Sequence, residues 1–345
     1  MSLHAEILEQ PACLEHLLLQ QRKTVEQIAQ AIRLEDIQFA FLAARGTSDN
    51  AGRYANYLWG AMNSLPMALA TPSLFTYYRQ PPRLRKALVI GISQSGQSPD
   101  IVSVVAEGKR QGNLTLAITN APTSPLALAA DFVLDIQAGP ELAVAATKTY
   151  TAQLMAVAML SAAMSESAER WEELEQVAGW AQEVLKQDSI ISQAAQRYRY
   201  MEQCVVLGRG YNYATAFEWA LKLKELTYVA AEPYSSADFQ HGPVAMVARG
   251  FPVLAVAPKG YVLDSMLKLL THLKEDLLAE LVVIANAAQA LSMAQVPLSL
   301  PADTPEWLSP LVSIVPAQLF SYHLTLAKGY DPDQPRSISK VTETH

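Results

Sequence analysis

The hydrophobic and polar positions of this chain alternate in blocks: a short apolar run, a polar turn that often contains glycine, and then a helix-like stretch. The apolar runs are Gln38–Ala44, Leu88–Ile92, Leu114–Thr119 and Phe132–Ile136 in the first half, and Cys204–Leu207, Phe251–Ala257 and Ala279–Ile284 in the second. Short apolar runs between turn residues are typical of buried strands, and strands that alternate with helices form parallel sheets. The pattern therefore predicts an α/β protein with helices on both faces of each sheet.

The pattern of the first half restarts in the second half. FLAARGTSDNAGRYANYLW, from Phe41, and VVLGRGYNYATAFEWALKL, from Val205, share an apolar strand, an Arg-Gly pair, an asparagine-containing turn and an aromatic helix. A domain duplication fits the length of 345 residues, since a domain averages about 150 residues. The predicted divisions are N-terminal helices with a break at Pro11 (1–35), a first domain (36–165), a charged helical connector (166–198), a second domain (199–330) and a C-terminal tail (331–345).

Composition narrows the class of protein. Half of the residues are apolar, 17% are charged and the formal net charge is −7, which disfavours nucleic acid and anionic membranes as partners. The two cysteines, Cys13 and Cys204, provide neither a disulfide framework nor a thiolate metal cluster. The first residues lack a signal-peptide pattern, and the longest apolar stretch, Ala152–Met164, is too short to cross a bilayer. We therefore expect a cytoplasmic protein.

The segment SQSGQSPD, which follows the run at Leu88–Ile92, is the strongest candidate for ligand binding. Gly96 permits close approach of the backbone to a ligand, and the hydroxyls of Ser93, Ser95 and Ser98 can donate hydrogen bonds at the start of the next helix. A phosphomonoester needs several such donors, and ligands of open α/β sheets bind at the carboxyl ends of strands. The alternative is that these residues only cap a helix.

Two further polar segments in the same half favour phosphate binding. They are RGTSDN after the first apolar run and VAATKT at residues 144–149, where the apolar helix begins. The sequence has no G-x-G-x-x-G fingerprint and no P-loop, so neither a dinucleotide-binding protein nor a P-loop NTPase is predicted. The histidines show no close ligand spacing, and we predict neither a metal nor another cofactor.

Several long motifs resemble the SIS (sugar isomerase) family. They are RGTSDN, SQSGQSPD, ELAVAATKTYTAQL, GRGYNYATAFEWALKLKE, AEPYSSADFQHGP and DPDQPRSISKVTE. In this order they are similar to the isomerase half of glucosamine-6-phosphate synthases and to glucosamine-6-phosphate deaminases that lack a glutaminase. The resemblance implies two tandem SIS domains, each a doubly wound parallel sheet flanked by helices. It also implies a homodimer with its sites at the subunit interface.

The resemblance implies roles for individual residues. Glu225 would carry the proton between C1 and C2, His241 of the neighbouring subunit would open the sugar ring, and Lys340 would lie over the substrate carbonyl or form a Schiff base with it. The implied substrate-binding residues are Gly46, Thr47, Ser48, Ser93, Gln94, Ser95, Ser98, Val144, Ala146 and Lys222. The sequence departs from the synthase pattern at Gln97-Ser98 and at Ala146, where one hydroxyl is missing, and no amidotransferase segment precedes EILEQP.

The residue types alone leave the catalytic roles open. Glu218, Lys222 and Glu225 share one face of a predicted helix, and such a set is usually a solvated surface. A single loop histidine is likewise often a surface residue, and a lysine near a chain end often lies in a frayed tail. Isomerisation, however, needs a carboxylate next to the substrate carbonyl, ring opening suits an imidazole, and a closing tail excludes water.

The predicted function is isomerisation of a hexosamine 6-phosphate, in which glucosamine 6-phosphate yields fructose 6-phosphate and ammonia. Two alternatives stay open. One is a deglycase that cleaves a fructosamine 6-phosphate, and the other is a non-catalytic sugar-phosphate sensor, which needs only the phosphate-binding turns. The expected partner is a small phosphorylated sugar in all three cases.

Overall fold

The computed structural model describes residues 2–340, and these form two compact units. The first sheet unit comprises residues 12–141, 148–175 and 339–340. The second sheet unit comprises residues 2–11, 142–147 and 176–338. Residues 341–345 of the predicted tail lie outside the described residues.

The elements alternate along the chain as the apolar runs predict. The strands are β1 Phe39–Ala43, β2 Met67–Leu69, β3 Ala87–Ser93, β4 Leu114–Thr119, β5 Phe132–Asp135, β6 Gln203–Gly208, β7 Ala230–Ser235, β8 Pro252–Val256, β9 Glu280–Ala285 and β10 Val296–Ser299. The helices are α1 Leu3–Leu8, α2 Gln10–Leu34, α3 Gly46–Asn63, α4 Ser73–Thr76, α5 Pro99–Arg110, α6 Pro125–Ala129, α7 Lys148–Met164, α8 Ala168–Leu185, α9 Asp188–Gln196, α10 Tyr213–Thr227, α11 Ser236–Phe239, α12 Leu263–Glu275, α13 Ala288–Met293 and α14 Ser309–Ala327.

The first sheet unit contains a parallel sheet with the strand order β2-β1-β3-β4-β5. All seven residues of β3, the central strand, are buried. Parallel strands covered by helices on both faces are apolar throughout, which explains the uninterrupted run ALVIGI. One face of the sheet packs into a cluster that includes Phe41, Val89, Val104 and Leu126.

Helix α7 is the central helix of the first sheet unit. Sixteen of its seventeen residues are buried, as expected for a helix that is apolar on every side. It packs against α3, where the Trp59 indole N–H donates to the Val157 carbonyl at 3.1 Å. The short apolar stretch in the sequence is therefore a buried core helix, and no helix within the described residues is long and apolar enough to cross a membrane.

The second sheet unit has the strand order β10-β9-β8-β6-β7. Counted from its own first strand, β6, this is the same order as in the first sheet unit, and its strands are also parallel. Helices α10 and α14 pack together beside this sheet. The duplicated α/β architecture predicted from the sequence is confirmed.

Two details of the predicted elements are corrected. Pro11 does not break a helix, because it is the second residue of α2, where its missing N–H is not needed for helical hydrogen bonding. The chain interrupts its N-terminal helices at Glu9 instead. The sequence also gave no prediction for β2, β7 and β10, which lie at sheet edges. Edge strands tolerate proline and exposed residues, so their apolar pattern is weak.

Candidate functional site

The strand order of the first sheet unit creates a switch point between β1 and β3. The chain leaves β1 toward β2 on one side and returns to β3 on the other, so the loops after β1 and β3 diverge. Such a crevice is the usual ligand site of an open parallel sheet. The polar segments RGTSDN and SQSGQSPD are the two loops that flank it.

Local hydrogen bonds define the SQSG turn, residues 93–96. The Ser93 hydroxyl oxygen accepts from the Gly96 amide at 3.1 Å, and the Ser95 hydroxyl oxygen accepts from the Gln97 amide at 3.3 Å. Because these oxygens act as acceptors within the turn, both hydroxyl hydrogens stay available for a ligand. Ser98 precedes α5 in an extended conformation, and its side chain makes no cap hydrogen bond within the described chain.

Glycine is required at position 96 for two reasons. Its φ of +62° lies in the left-handed region, and a Cβ there would stand 2.0 Å from the Ser124 hydroxyl oxygen. Ser124 cannot easily move, because its hydroxyl caps α6 by accepting from the Ala127 amide at 3.3 Å. The Gly96 carbonyl also accepts from the Leu126 amide. The turn is therefore fixed against the start of α6.

Side-chain hydrogen bonds hold the two loops of the switch point in place. Arg45, just before α3, donates through Nε to the Asp100 carboxylate in the first turn of α5 at 2.8 Å. On the neighbouring helix α7, the Gln153 amide donates to the Ser48 hydroxyl oxygen at 3.1 Å. The N-termini of α3 and α5 thus lie at the same edge of the sheet, and their dipoles favour an anion there.

Lys340 belongs to the first sheet unit, although it follows the whole of the second in sequence. Its Nζ lies 2.5 Å from the Glu141 carboxylate, which is fully buried. The same carboxylate accepts from the Thr149 amide at 3.1 Å and from the Thr149 hydroxyl at 2.8 Å, at the start of α7. The structure therefore anchors this tail residue rather than leaving it frayed.

In the second sheet unit, α10 contains a buried ionic triplet. Lys222 lies between Glu218, at 3.3 Å, and Glu225, at 2.5 Å. Burial opposes the positive charge, but the carboxylates of Glu225 and Glu218 outweigh it and raise the pKa of Lys222 above its ordinary value. The side chains of Glu218 and Lys222 are buried, and only Glu225 is partly exposed, at 24%. The interpretation of this face as a solvated surface is therefore wrong.

The remaining predicted residues also lie in the second sheet unit. His241 is exposed and follows α11, where its amide donates to the Asp238 carbonyl at 3.0 Å. Val144 and Ala146 are half-buried in the segment 142–147. That segment is held by the buried carboxylate of Glu6, which accepts from the amides of Leu142 and Ala143 at 2.5 and 3.2 Å.

The predicted site residues therefore divide between the units. The first sheet unit holds Gly46, Thr47, Ser48, Ser93, Gln94, Ser95, Ser98 and Lys340, and the second holds Val144, Ala146, Lys222, Glu225 and His241. Sequence reasoning missed the supporting residues Gln153, Glu141 and Ser124. Each contacts its partner only in the folded chain, and no local pattern marks it.

Two sheets with one strand order define a duplicated α/β protein of the doubly wound class. The SIS domain family model matches residues 34–163 and 199–328. The chain therefore belongs to the SIS domain family and carries two SIS repeats, which confirms the resemblance seen in its motifs.

Curated relatives of this chain include glutamine–fructose-6-phosphate aminotransferases [isomerizing]. That of Thermus thermophilus is 34% identical over 351 residues, which cover 97% of this chain and 57% of the relative. That of Gloeobacter violaceus is 35% identical over 317 residues, which cover 88% and 52%. The chain thus spans a little over half the length of these relatives.

Solved structures agree with the fold. The C-terminal domain of the glucosamine-fructose-6-phosphate aminotransferase of Francisella tularensis has a TM-score of 0.86 and 30% identity, covering 96% of this chain and 98% of that one. The tagatose-6-phosphate ketose/aldose isomerase of Escherichia coli has a TM-score of 0.84 and 23% identity, covering 97% and 95%. The glucosamine-6-phosphate deaminase of Thermotoga maritima has a TM-score of 0.80 and 21% identity, covering 100% of both chains. The latter two share the fold.

Proposed function

We propose that this protein is a phosphosugar isomerase that converts a hexosamine 6-phosphate, such as glucosamine 6-phosphate, into fructose 6-phosphate and ammonia. The observation that carries the proposal is the partly exposed carboxylate of Glu225, held by the buried ammonium of Lys222. The hydroxyl-lined turn at the switch point of the first sheet unit supports it. The aminotransferases to which the chain is 30% and 34% identical support the same reaction class.

Glu225 is the proposed base. In the open-chain aldose its carboxylate removes the proton from C2 while O1 takes up a proton, which gives an enaminol with a double bond between C1 and C2. Returning the first proton to C1, with release of one proton from the nitrogen, leaves a C1 hydroxymethyl group and an imine at C2. Water hydrolyses this imine to the ketone and ammonia. Lys222 orients Glu225 and offsets its charge when the carboxylate is ionised.

The phosphate is proposed to bind at the other end of the sugar. The hydroxyls of Ser93, Ser95 and Ser98 supply donors, and the N-termini of α3 and α5 supply a positive potential. Gly46, Thr47, Ser48 and Gln94 complete this set. Val144 and Ala146 line the sugar, where Ala146 contributes no hydroxyl.

Lys340 and His241 are proposed to act on the oxygens of the substrate. Lys340 forms an ion pair with Glu141, which supports its role as a fixed cation over the carbonyl oxygen of the substrate. Negative charge develops on that oxygen during enolisation. His241 moves a proton between O1 and O5 during ring opening, and its exposed position is compatible with action on the site of a neighbouring subunit.

The function is tested by incubating the full chain with glucosamine 6-phosphate in D₂O. We expect ammonia and fructose 6-phosphate in equal amounts, with deuterium at C1 from exchange of the carried proton. Glu225→Gln should abolish turnover and leave phosphosugar binding within a few-fold of the parent protein. Glu232→Gln, an exposed glutamate on β7, is the matched control and should keep full activity.

Other outcomes of this assay would favour one of the two alternative functions. Turnover of fructosamine 6-phosphates alone, with free amine as a product, would replace the proposal by a deglycase. Binding of glucosamine 6-phosphate with no turnover of any of these sugars would replace it by a sensor. Undiminished turnover in Glu225→Gln would exclude Glu225 as the base.

Sharing of His241 between two subunits of a homodimer has its own test. Glu225→Gln and His241→Asn are each expected to be inactive. If His241 acts on the neighbouring subunit, subunit exchange between the two variants creates one intact site per mixed dimer, and activity returns to about a quarter of the parent level. Absence of recovery in verified mixed dimers would place His241 in the site of its own subunit.

A further inference from the structure

Outside the proposed active site, three potential metal ligands converge in the second sheet unit. His4 on α1, Asp188 at the start of α9 and His323 on α14 each offer one ligand atom, and these atoms all lie within 4.8 Å of one another. We propose that these residues form a binding site for a first-row transition-metal dication such as Zn²⁺. No sequence pattern indicates this site, because the three residues lie far apart along the chain.

The distances fit a metal that needs little movement of the ligands. The His4 Nε2 lies 3.1 Å from one oxygen of Asp188, and the His323 Nε2 lies 2.6 Å from the other. Tetrahedral zinc bonds nitrogen and oxygen at about 2.0–2.2 Å, so its ligand atoms stand about 3.4 Å apart. Both separations lie below this value, so an ion would move the side chains apart by less than about 1 Å. A bound ion would replace the two hydrogen-bonded protons that lie between the histidine rings and Asp188.

The side chains are held in an arrangement suited to ligation. The rings of His4 and His323 meet edge to face, at 64°, so both Nε2 atoms can point to one centre. Tyr322 stacks on His4, with ring centroids 4.8 Å apart, and fixes that ring. His4 and Asp188 are each partly exposed, which gives an ion access to the cluster and leaves room for water as a fourth ligand.

The ligand types select the class of metal. Two imidazoles with one carboxylate suit Zn²⁺, Co²⁺ and Ni²⁺, whereas Mg²⁺ and Ca²⁺ prefer oxygen ligands alone. A bound ion would join three helices of the second sheet unit. Its expected effect is a higher melting temperature, because the unfolded chain does not bring these residues together.

The test uses the full chain stripped with a chelator and then titrated with Co²⁺, whose d–d absorption reports imidazole and carboxylate ligation, and with Zn²⁺ by calorimetry. We expect one equivalent per chain and a higher melting temperature. His4→Ala and Asp188→Asn should each weaken binding by about tenfold or more. Circular dichroism of the metal-free variants verifies that they fold.

His272→Ala is the matched control. His272 also pairs with a carboxylate, Asp276 at 2.7 Å, but this exposed pair lies within about one helical turn and has no third ligand among residues 2–340. The control should bind Co²⁺ as the parent protein does. The proposal is overturned if the parent protein shows no cobalt absorption, or if binding survives unchanged in His4→Ala and Asp188→Asn.

Discussion

At the scale of single residues, the SQSG turn was predictable because the residues that form it are adjacent in the sequence. Gly96 and the serines around it follow one strand directly, and their residue types suffice to predict a turn at this position and to propose it for ligand binding. The side chains that hold the turn were not predictable. Ser124, which fixes the position of Gly96, lies on another loop, and Gln153, which orients Ser48, lies on α7.

Gly96→Ala is expected to damage both stability and phosphosugar binding. The new methyl group meets the Ser124 hydroxyl, and alanine disfavours the φ of +62°. We expect a loss of about 1–3 kcal/mol in the free energy of unfolding. The dissociation constant for glucosamine 6-phosphate should rise about tenfold, equivalent to about 1.4 kcal/mol.

Gly112→Ala is a control that separates the effect of backbone strain from that of steric overlap with the added methyl group. Gly112 has a φ of +79°, but no atom stands within 4 Å of the added Cβ. This control should lose about 1 kcal/mol of stability and retain its affinity for glucosamine 6-phosphate, as calorimetry and urea unfolding can measure. Equal affinities in both variants would contradict the role given to the turn.

Asp131 is expected to make stability depend on pH. Burial alone would raise its pKa, but Lys109, at 2.9 Å, and the Thr115 hydroxyl and amide outweigh burial and lower the pKa. A lowered pKa in the folded state stabilises the protein above the unfolded value of about 3.9, and this contribution is lost as the pH falls through the folded value.

Asp131→Asn should therefore lose about 1 kcal/mol at pH 7. The difference from the parent protein should shrink as the pH falls below about 3.9 and disappear once Asp131 is protonated in the folded state. Asp36→Asn, which removes a fully exposed partner of Lys86, should leave the urea midpoint unchanged. A difference for Asp131→Asn that stays constant down to low pH would contradict the ionic origin of the effect.

At the scale of elements, α10 shows where sequence patterns fail. Its charged residues repeat as they do on a solvated helix face, yet Glu218 and Lys222 are buried. Burial is decided by the packing of α10 against α14 and β7, and no window of the sequence contains these neighbours. The buried strands and α7 were predictable because they are apolar throughout.

Lys222→Met is expected to destabilise the protein strongly. It removes the cation that lies between two carboxylates, one of them fully buried, with a loss of about 3–5 kcal/mol. Lys224→Met makes the same change on the exposed side of α10 and should alter the free energy of unfolding by less than about 0.5 kcal/mol. Chemical denaturation at pH 7.5 measures both, and equal effects would show that the triplet does not stabilise the helix.

At the scale of the whole molecule, the two sheets share one strand order, but the loops after their corresponding strands β3 and β8 differ. After β8, the strand that corresponds to β3, the loop Ala257–Gly260 carries no hydroxyl side chain. Two amides at this position already have acceptors, since that of Lys259 donates to the Asn286 side-chain oxygen at 2.7 Å and that of Tyr261, directly after the loop, donates to the Glu306 carboxylate at 2.8 Å. The repeat could be recognised from the sequence, whereas the hydrogen-bond acceptors of these amides could be identified only from the structure.

One molecule of glucosamine 6-phosphate should therefore bind per chain. In the second sheet unit, the carboxylate of Glu306 occupies the position of an anion and repels a phosphate. Calorimetry should give a stoichiometry of one, and Ser93→Ala combined with Ser95→Ala should remove all measurable binding. Two equivalents of similar affinity would show that both switch points accept the phosphate.

The course of the chain limits how it can be divided. Helix α1 and the segment 142–147 belong to the second sheet unit, and the buried amide of Gln10 donates to that of Gln318 at 2.8 Å. A cleavage within α8 would place these partners on different polypeptides. The resulting fragments should behave as a split protein whose pieces recover the native state only by reassembly, rather than as two autonomous modules.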